Sequence, residues 1–231
     1  MSIEILTRQP IKFIEKHGVQ YFEPFEAVDN MNKPVNVFLE ATEPATKMVA
    51  KNFLDSFSRC DLSIDSENKS IYNKVLMASP AKRGMGEILN LASIIEFHKN
   101  KFKNLSLHSY KESVPYFSQY GFRIDSDYED LILDGLVKVI KSKSPDLQKI
   151  RDEAYALYPY VYFPEIKDPE ILRRSCDTIS EYLKQVVRAR DTKENISINS
   201  FTKMMFEEAD LEKNKDYLNT LLDKHKINYQ I

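Results

Sequence analysis

The stretch Arg83–Ile88, RGMGEI, holds two glycines in a chain of 231 residues that has only five. It follows an apolar, β-branched run, SIYNKVLMASP, and precedes a segment in which Ile88, Leu89, Leu91, Ala92 and Ile95 recur at helical spacing. A strand must therefore run into a helix through a turn where a side chain is unwelcome, and this limits the folds open to the chain. The unpaired amides and positive dipole at a helix start suit an anion, and glycine lets a phosphate come close. A tight turn with no ligand is the plain alternative reading of so short a motif.

Strand-like patterns lie almost wholly before residue 125 and helical ones after it, so we expect an α/β fold with a region 1–125 and an all-α region 126–231. VQYFEPFEAV and KPVNVFLEA read as a hairpin about MNK, and CDLSID with SIYNKVLMASP as another about SENK. Between them ATEPATKMVAKNFLDSFSR is expected to be a helix, with Thr42 as N-cap and Met48, Val49, Phe53, Leu54 and Phe57 on one face. The helix after RGMGEI is expected to be one-sided. NLSLHS alternates as a strand, and YKESVPYFSQY reads as a short helix that Gly121 ends. FRIDSD is at most a shortened strand.

Downstream, DYEDLILDGLVKVIKSK and SPDLQKIRDEAYALY are helical, and DPEILRRSCDTISEYLKQVVRAR begins with Asp168 and Pro169 as start signals. The prolines of YPYVYFP, residues 158–164, argue against helix there, while FTKMMFEEA is placed on a helix in the last segment.

With 33 basic and 35 acidic residues the formal charge is −2, so charge favours neither nucleic acid nor an anionic membrane as a partner. No uncharged apolar run approaches the roughly 18 residues of a membrane span. The two cysteines lack metal-type spacing, and His17, His98, His108 and His225 show no H-x-x-x-H pattern, so no metal is expected and a reduced, cytoplasmic chain is. There is no G-x-S-x-G elbow, and no Walker-type G-K-[ST].

RGMGEI, the strand LSLHS and the ending FSQYGF together carry three of the five glycines, and over residues 71–123 their order and spacing resemble the GNAT superfamily of N-acetyltransferases. That family leads a strand into an R-G-x-G-x-G loop and helix, then a further strand and a helix ending in Y-x-x-x-G-F. The resemblance implies a mixed, mostly antiparallel sheet flanked by helices. It also implies acetyl-CoA as acyl donor, with its pyrophosphate on Arg83, Gly84, Met85, Gly86, Glu87 and Ile88, and its pantetheine arm paired to the strand at Leu76, Met77 and Ala78. The acceptor would be an amine, of a small molecule or a protein, attacking the thioester directly.

Ile88 stands where the family has its last loop glycine or alanine, and Phe117 where it has a tyrosine that protonates the leaving thiolate. Tyr116 is the foremost replacement acid, beside Tyr110 and Tyr120. His108, at the end of LSLHS, and Glu40, at the end of NVFLE, are candidate bases. The alternative is a catalytically inactive relative that binds a protein partner through its helical C-terminal half.

Overall fold

The structure, a computed structural model, describes residues 15–16, 19–20, 25–42, 45–52, 57–65, 67–78, 82–110, 112–127, 129–163, 168–190, 198 and 201–231. The chain divides into two compact units, Met1–Leu105 with Lys215–Ile231, and Ser106–Asn214.

In the first unit β1 (Glu15–Lys16) and β2 (Val19–Gln20) form a small antiparallel ladder of their own. The main sheet is a meander of β3 (Phe25–Val28), β4 (Pro34–Thr42), β5 (Ala45–Asn52), β6 (Phe57–Asp65) and β7 (Ser70–Met77), antiparallel at each step. Both expected hairpins are present. A register shift interrupts the β6–β7 ladder between Asp61 and Leu62. Helix α1 (Met85–Lys99) lies over β5, β6 and β7, and β8 (Asn104–Ser109) takes the next place in the strand order after β7.

The helix expected across ATEPATKMVAKNFLDSFSR is absent. Residues 45–52 are β5 and Phe57 opens β6, while Pro44, Phe53 and Leu54 lie outside the described residues. The segment is rich in helix-tolerant Ala, Lys and Met, yet β4 and β6 bond it from both sides, and ladder bonds on two edges outweigh a weak local preference. Nor is α1 one-sided, because Asn90, Ser93 and Glu96 are buried along with Ile88, Leu91, Ala92 and Ile95. Strands cover one flank, and contacts from the C-terminal tail to Glu87 and His98 cover another.

The second unit takes over within β8. It continues through α2 (Val114–Ser118), β9 (Arg123–Ile124), α3 (Glu129–Lys141), a 3-10 turn (Pro145–Leu147), α4 (Gln148–Tyr162), α5 (Pro169–Ala189) and β10 (Thr202–Glu207) into α6 (Glu208–Lys224). Its strand order is β8-β10-β9, with Met204 opposite Ile124 and Met205 opposite Arg123. Residues 126–231 are thus not all-helical. FRIDSD does carry the short strand β9, and β9 and β10 are held apart in sequence by a layer in which α3, α4 and α5 pack on one another.

Lys203 is exposed between buried Thr202, Met204 and Phe206, a period-two pattern that the Met204–Met205 pair disguises in the sequence. YPYVYFP is also corrected, since α4 runs through Pro159 to Tyr162. The ring removes one bond, to the Tyr155 carbonyl, and Tyr155 is exposed, so water can serve that group.

Candidate functional site

Asp29–Lys33 is the turn between β3 and β4. Asp29 Oδ1 accepts from the backbone of Met31 at 2.8 Å and Lys33 at 2.9 Å, which closes the turn on itself. The turn then grips the strand-to-helix connection. Asn30 N donates to the Arg83 carbonyl at 3.0 Å, and Asn30 Nδ2 to the Lys82 carbonyl at 3.2 Å. Gly84, the N-cap of α1, has φ +82°, and a Cβ there would meet Asn30 Oδ1 at 2.8 Å and His225 Cε1 at 3.0 Å. Conformation and crowding both require glycine at this position.

Two ion clusters flank the turn. The Arg83 guanidinium grips Asp29 through Nε, 2.8 Å from Oδ2, and through Nη2. Burial pushes the Asp29 carboxyl up, but the Lys33 and Met31 amides and Arg83 outweigh it and hold it below its ordinary value. Glu87 Oε1 accepts from Lys224 Nζ and from His225 Nε2, each at 2.5 Å. Here too burial opposes ionisation, while His225 and Lys224 prevail and bring the carboxyl down to about 2.

The first turn of α1 presents its amides as any helix start does, with Ile88 N already bonded to the Gly84 carbonyl. These amides and the exposed Lys82 fit a phosphate. Arg83 does not act as a free counter-charge, because Asp29 takes its guanidinium. Ile88 points into the core with no exposure, so its branched side chain leaves the turn clear. At the end of β7, Leu76 is half-buried, and Met77 and Ala78 are exposed. Glu40 lies in β4 opposite Lys47; its side chain is outside the described residues.

Residues 76–78, 83–88 and Glu40 belong to the first unit, and His108 and Tyr116 to the second. His108 is exposed and stacks on Phe201, with centroids 5.2 Å apart and planes at 5°; Tyr110 meets the same ring edge-on at 5.3 Å. Tyr116 is half-buried in α2, edge-on to Phe117 at 5.1 Å and to Tyr120 at 5.2 Å. Phe117 and Tyr120 are core residues. Gly121 has φ +103°, and a Cβ would stand 2.3 Å from Asn214 Nδ2, so the glycine of FSQYGF also answers to packing.

Beside it lies a cavity of about 80 Å³ whose lining includes Arg123, Asp177, Lys184, Asp210 and Asn214. Arg123 spans Asp210 (Nε at 2.8 Å), Asp177 (Nη1 at 3.0 Å) and Glu207 (Nη2 at 2.5 Å). Burial opposes its charge, but Asp210 and Asp177 outweigh it and hold the guanidinium protonated.

Sequence reasoning missed Asp29, Asn30, Lys224 and His225 around the turn, and Phe201 beside His108. No spacing rule joins positions this distant. Among the described residues no cluster of three or more His, Cys, Asp or Glu is arranged to hold a metal, and no helix is long and apolar enough to cross a membrane.

No family model matches the chain, and no curated protein does. Among solved structures, the crystal structure of nourseothricin acetyltransferase is similar over 44% of this chain and 71% of that one, at 12% identity and a TM-score of 0.31.

Proposed function

We propose that the chain is an acyl-CoA-dependent N-acyltransferase that moves an acetyl group from acetyl-CoA to an amine of a small molecule or a protein. The observation that carries this reading is the turn between β7 and α1, where Gly84 in the left-handed region opens a helix with no side-chain cap, a start whose first-turn amides suit an anion. The reading assigns the donor's pyrophosphate to Arg83–Ile88, mainly through backbone amides and Lys82, and the pantetheine arm to the strand end at Leu76, Met77 and Ala78. The amine nitrogen bonds to the thioester carbonyl carbon and the carbon–sulfur bond breaks. A general base takes the amine's proton, and a general acid protonates the departing thiolate.

Calorimetric titration of acetyl-CoA into the full chain tests the reading. Binding at micromolar level, about −8 kcal/mol, that Gly86→Val abolishes is the expected result. No binding by the parent chain overturns it.

Two observations favour a second reading, a non-catalytic protein that binds a partner. Arg83 is already neutralised by Asp29, and Phe117 has no proton to give. On that reading the surface is the helical layer of the second unit, where Tyr155, Tyr160, Tyr162 and Phe163 are exposed. It predicts no acetyl-CoA binding.

A further inference from the structure

The last turn of α6 and the tail that follows are bonded to both ends of α1. At the first turn, Glu87 accepts from Lys224 and His225. At the last turn, His98 Nδ1 and the Tyr229 hydroxyl are 3.0 Å apart. The tail also folds back on α6, with Ile231 N donating to Asn219 Oδ1 at 3.0 Å and Ile227 N to the Leu222 carbonyl at 2.9 Å.

His225 is the pivot. It has no exposure, its Nδ1 lies 2.6 Å from the Val28 carbonyl, its own carbonyl accepts from Val28 N at 2.8 Å, and its Nε2 meets Glu87. Its ring also lies close enough to Gly84 to exclude a Cβ. A carbonyl and a carboxylate only accept, so the arrangement uses both ring nitrogens as donors. One buried side chain thereby ties β3 to the first turn of α1.

We propose that residues 224–231 form a latch that sets the conformation of the Arg83–Glu87 turn, with His225 as a positioning residue for that turn. The proposal rests on the reading that the turn holds the donor's phosphates, and assigns His225 no contact with the donor. The charged groups around it are Glu87 and Lys224, with Asp29 and Arg83 on the turn's other flank.

An asparagine amide nitrogen takes roughly the place of an imidazole Nδ1 and a glutamine amide nitrogen that of Nε2. Hence His225→Asn keeps the link to Val28 and loses Glu87, whereas His225→Gln keeps Glu87. Amide hydrogen exchange at Asn30 and Ile88, whose N–H groups bond to the Arg83 and Gly84 carbonyls, reads the latch in the full chain without any ligand, and acetyl-CoA calorimetry on the same samples reads its effect on binding.

We expect His225→Asn to speed exchange at those amides about tenfold and weaken acetyl-CoA about tenfold, and His225→Gln to restore both. Glu87→Gln is expected to reproduce the His225→Asn effect, and it carries the test if neither His225 variant folds. Unchanged exchange in folded His225→Asn or Glu87→Gln protein overturns the latch, as does faster exchange with undiminished acetyl-CoA affinity. Faster exchange in the variants, when the parent chain binds no acetyl-CoA, upholds the latch and overturns the acyl-transfer reading instead.

Discussion

Gly84 and Gly121 show how a residue legible as a signal is explained by partners that are not. Each has positive φ, and each would place a Cβ against a side chain from a distant part of its own unit, His225 and Asn30 for Gly84, Asn214 for Gly121. Asn214 cannot easily give way, since it donates to the Asp210 carbonyl at 2.6 Å and accepts from Arg188 at 2.8 Å. Gly121→Ala therefore combines left-handed strain with a clash and is expected to cost about 2–4 kcal/mol, read as a lower urea midpoint. A loss below about 1 kcal/mol would show that Asn214 relaxes freely. The two thiols, Cys60 and Cys176, are buried and free, and burial pushes both up to about 12, so neither is expected to behave as a nucleophile.

At the scale of elements, α5 announced itself by its start, whereas α4 begins at Gln148 only after the 3-10 turn Pro145–Leu147. Asp168 caps α5 with Oδ1 accepting from Glu170 N at 2.9 Å, and Pro169 follows in the first turn, as the sequence predicts. Asp168→Ala is expected to lower stability by about 1 kcal/mol, and Asp168→Asn to restore most of it in thermal unfolding. Equal losses in the two variants would mean that the cap bond contributes nothing.

Strands were less legible. β5 reads locally as helix and β10 hides behind adjacent methionines, and each is held as a strand by neighbours remote in sequence. Arg123 illustrates this, a two-residue strand's side chain tied to α5, to the end of β10 and to the start of α6.

For the molecule as a whole, the paired carboxylates around the turn imply acid sensitivity. Glu87 sits at about 2 in the fold against an ordinary 4.5. A depressed folded value stabilises above the unfolded one, so the contribution is complete above pH 4.5 and is lost as pH falls toward 2. Its size is on the order of 3 kcal/mol. Asp29, also held down, acts in the same direction. Denaturant midpoints measured from pH 6 to pH 2.5 are expected to fall below pH 4.5, with a shallower fall in Glu87→Gln. Parallel curves for parent and variant would remove Glu87 from the account.

By itself the sequence determined that a strand gives way to a helix at Arg83–Ile88, that a left-handed glycine closes the turn after α2, and that α5 begins at its Asp168 cap. These depend on atoms within a few positions of one another, so local chemistry suffices. Tertiary structure alone decided that residues 45–52 are a strand, that Thr202–Glu207 lies between β8 and β9, and that Arg83 faces Asp29 rather than open solvent. Hydrogen bonds across a sheet and buried ion pairs join residues far apart in the chain. No local pattern records which partner a group will meet once folding removes its water.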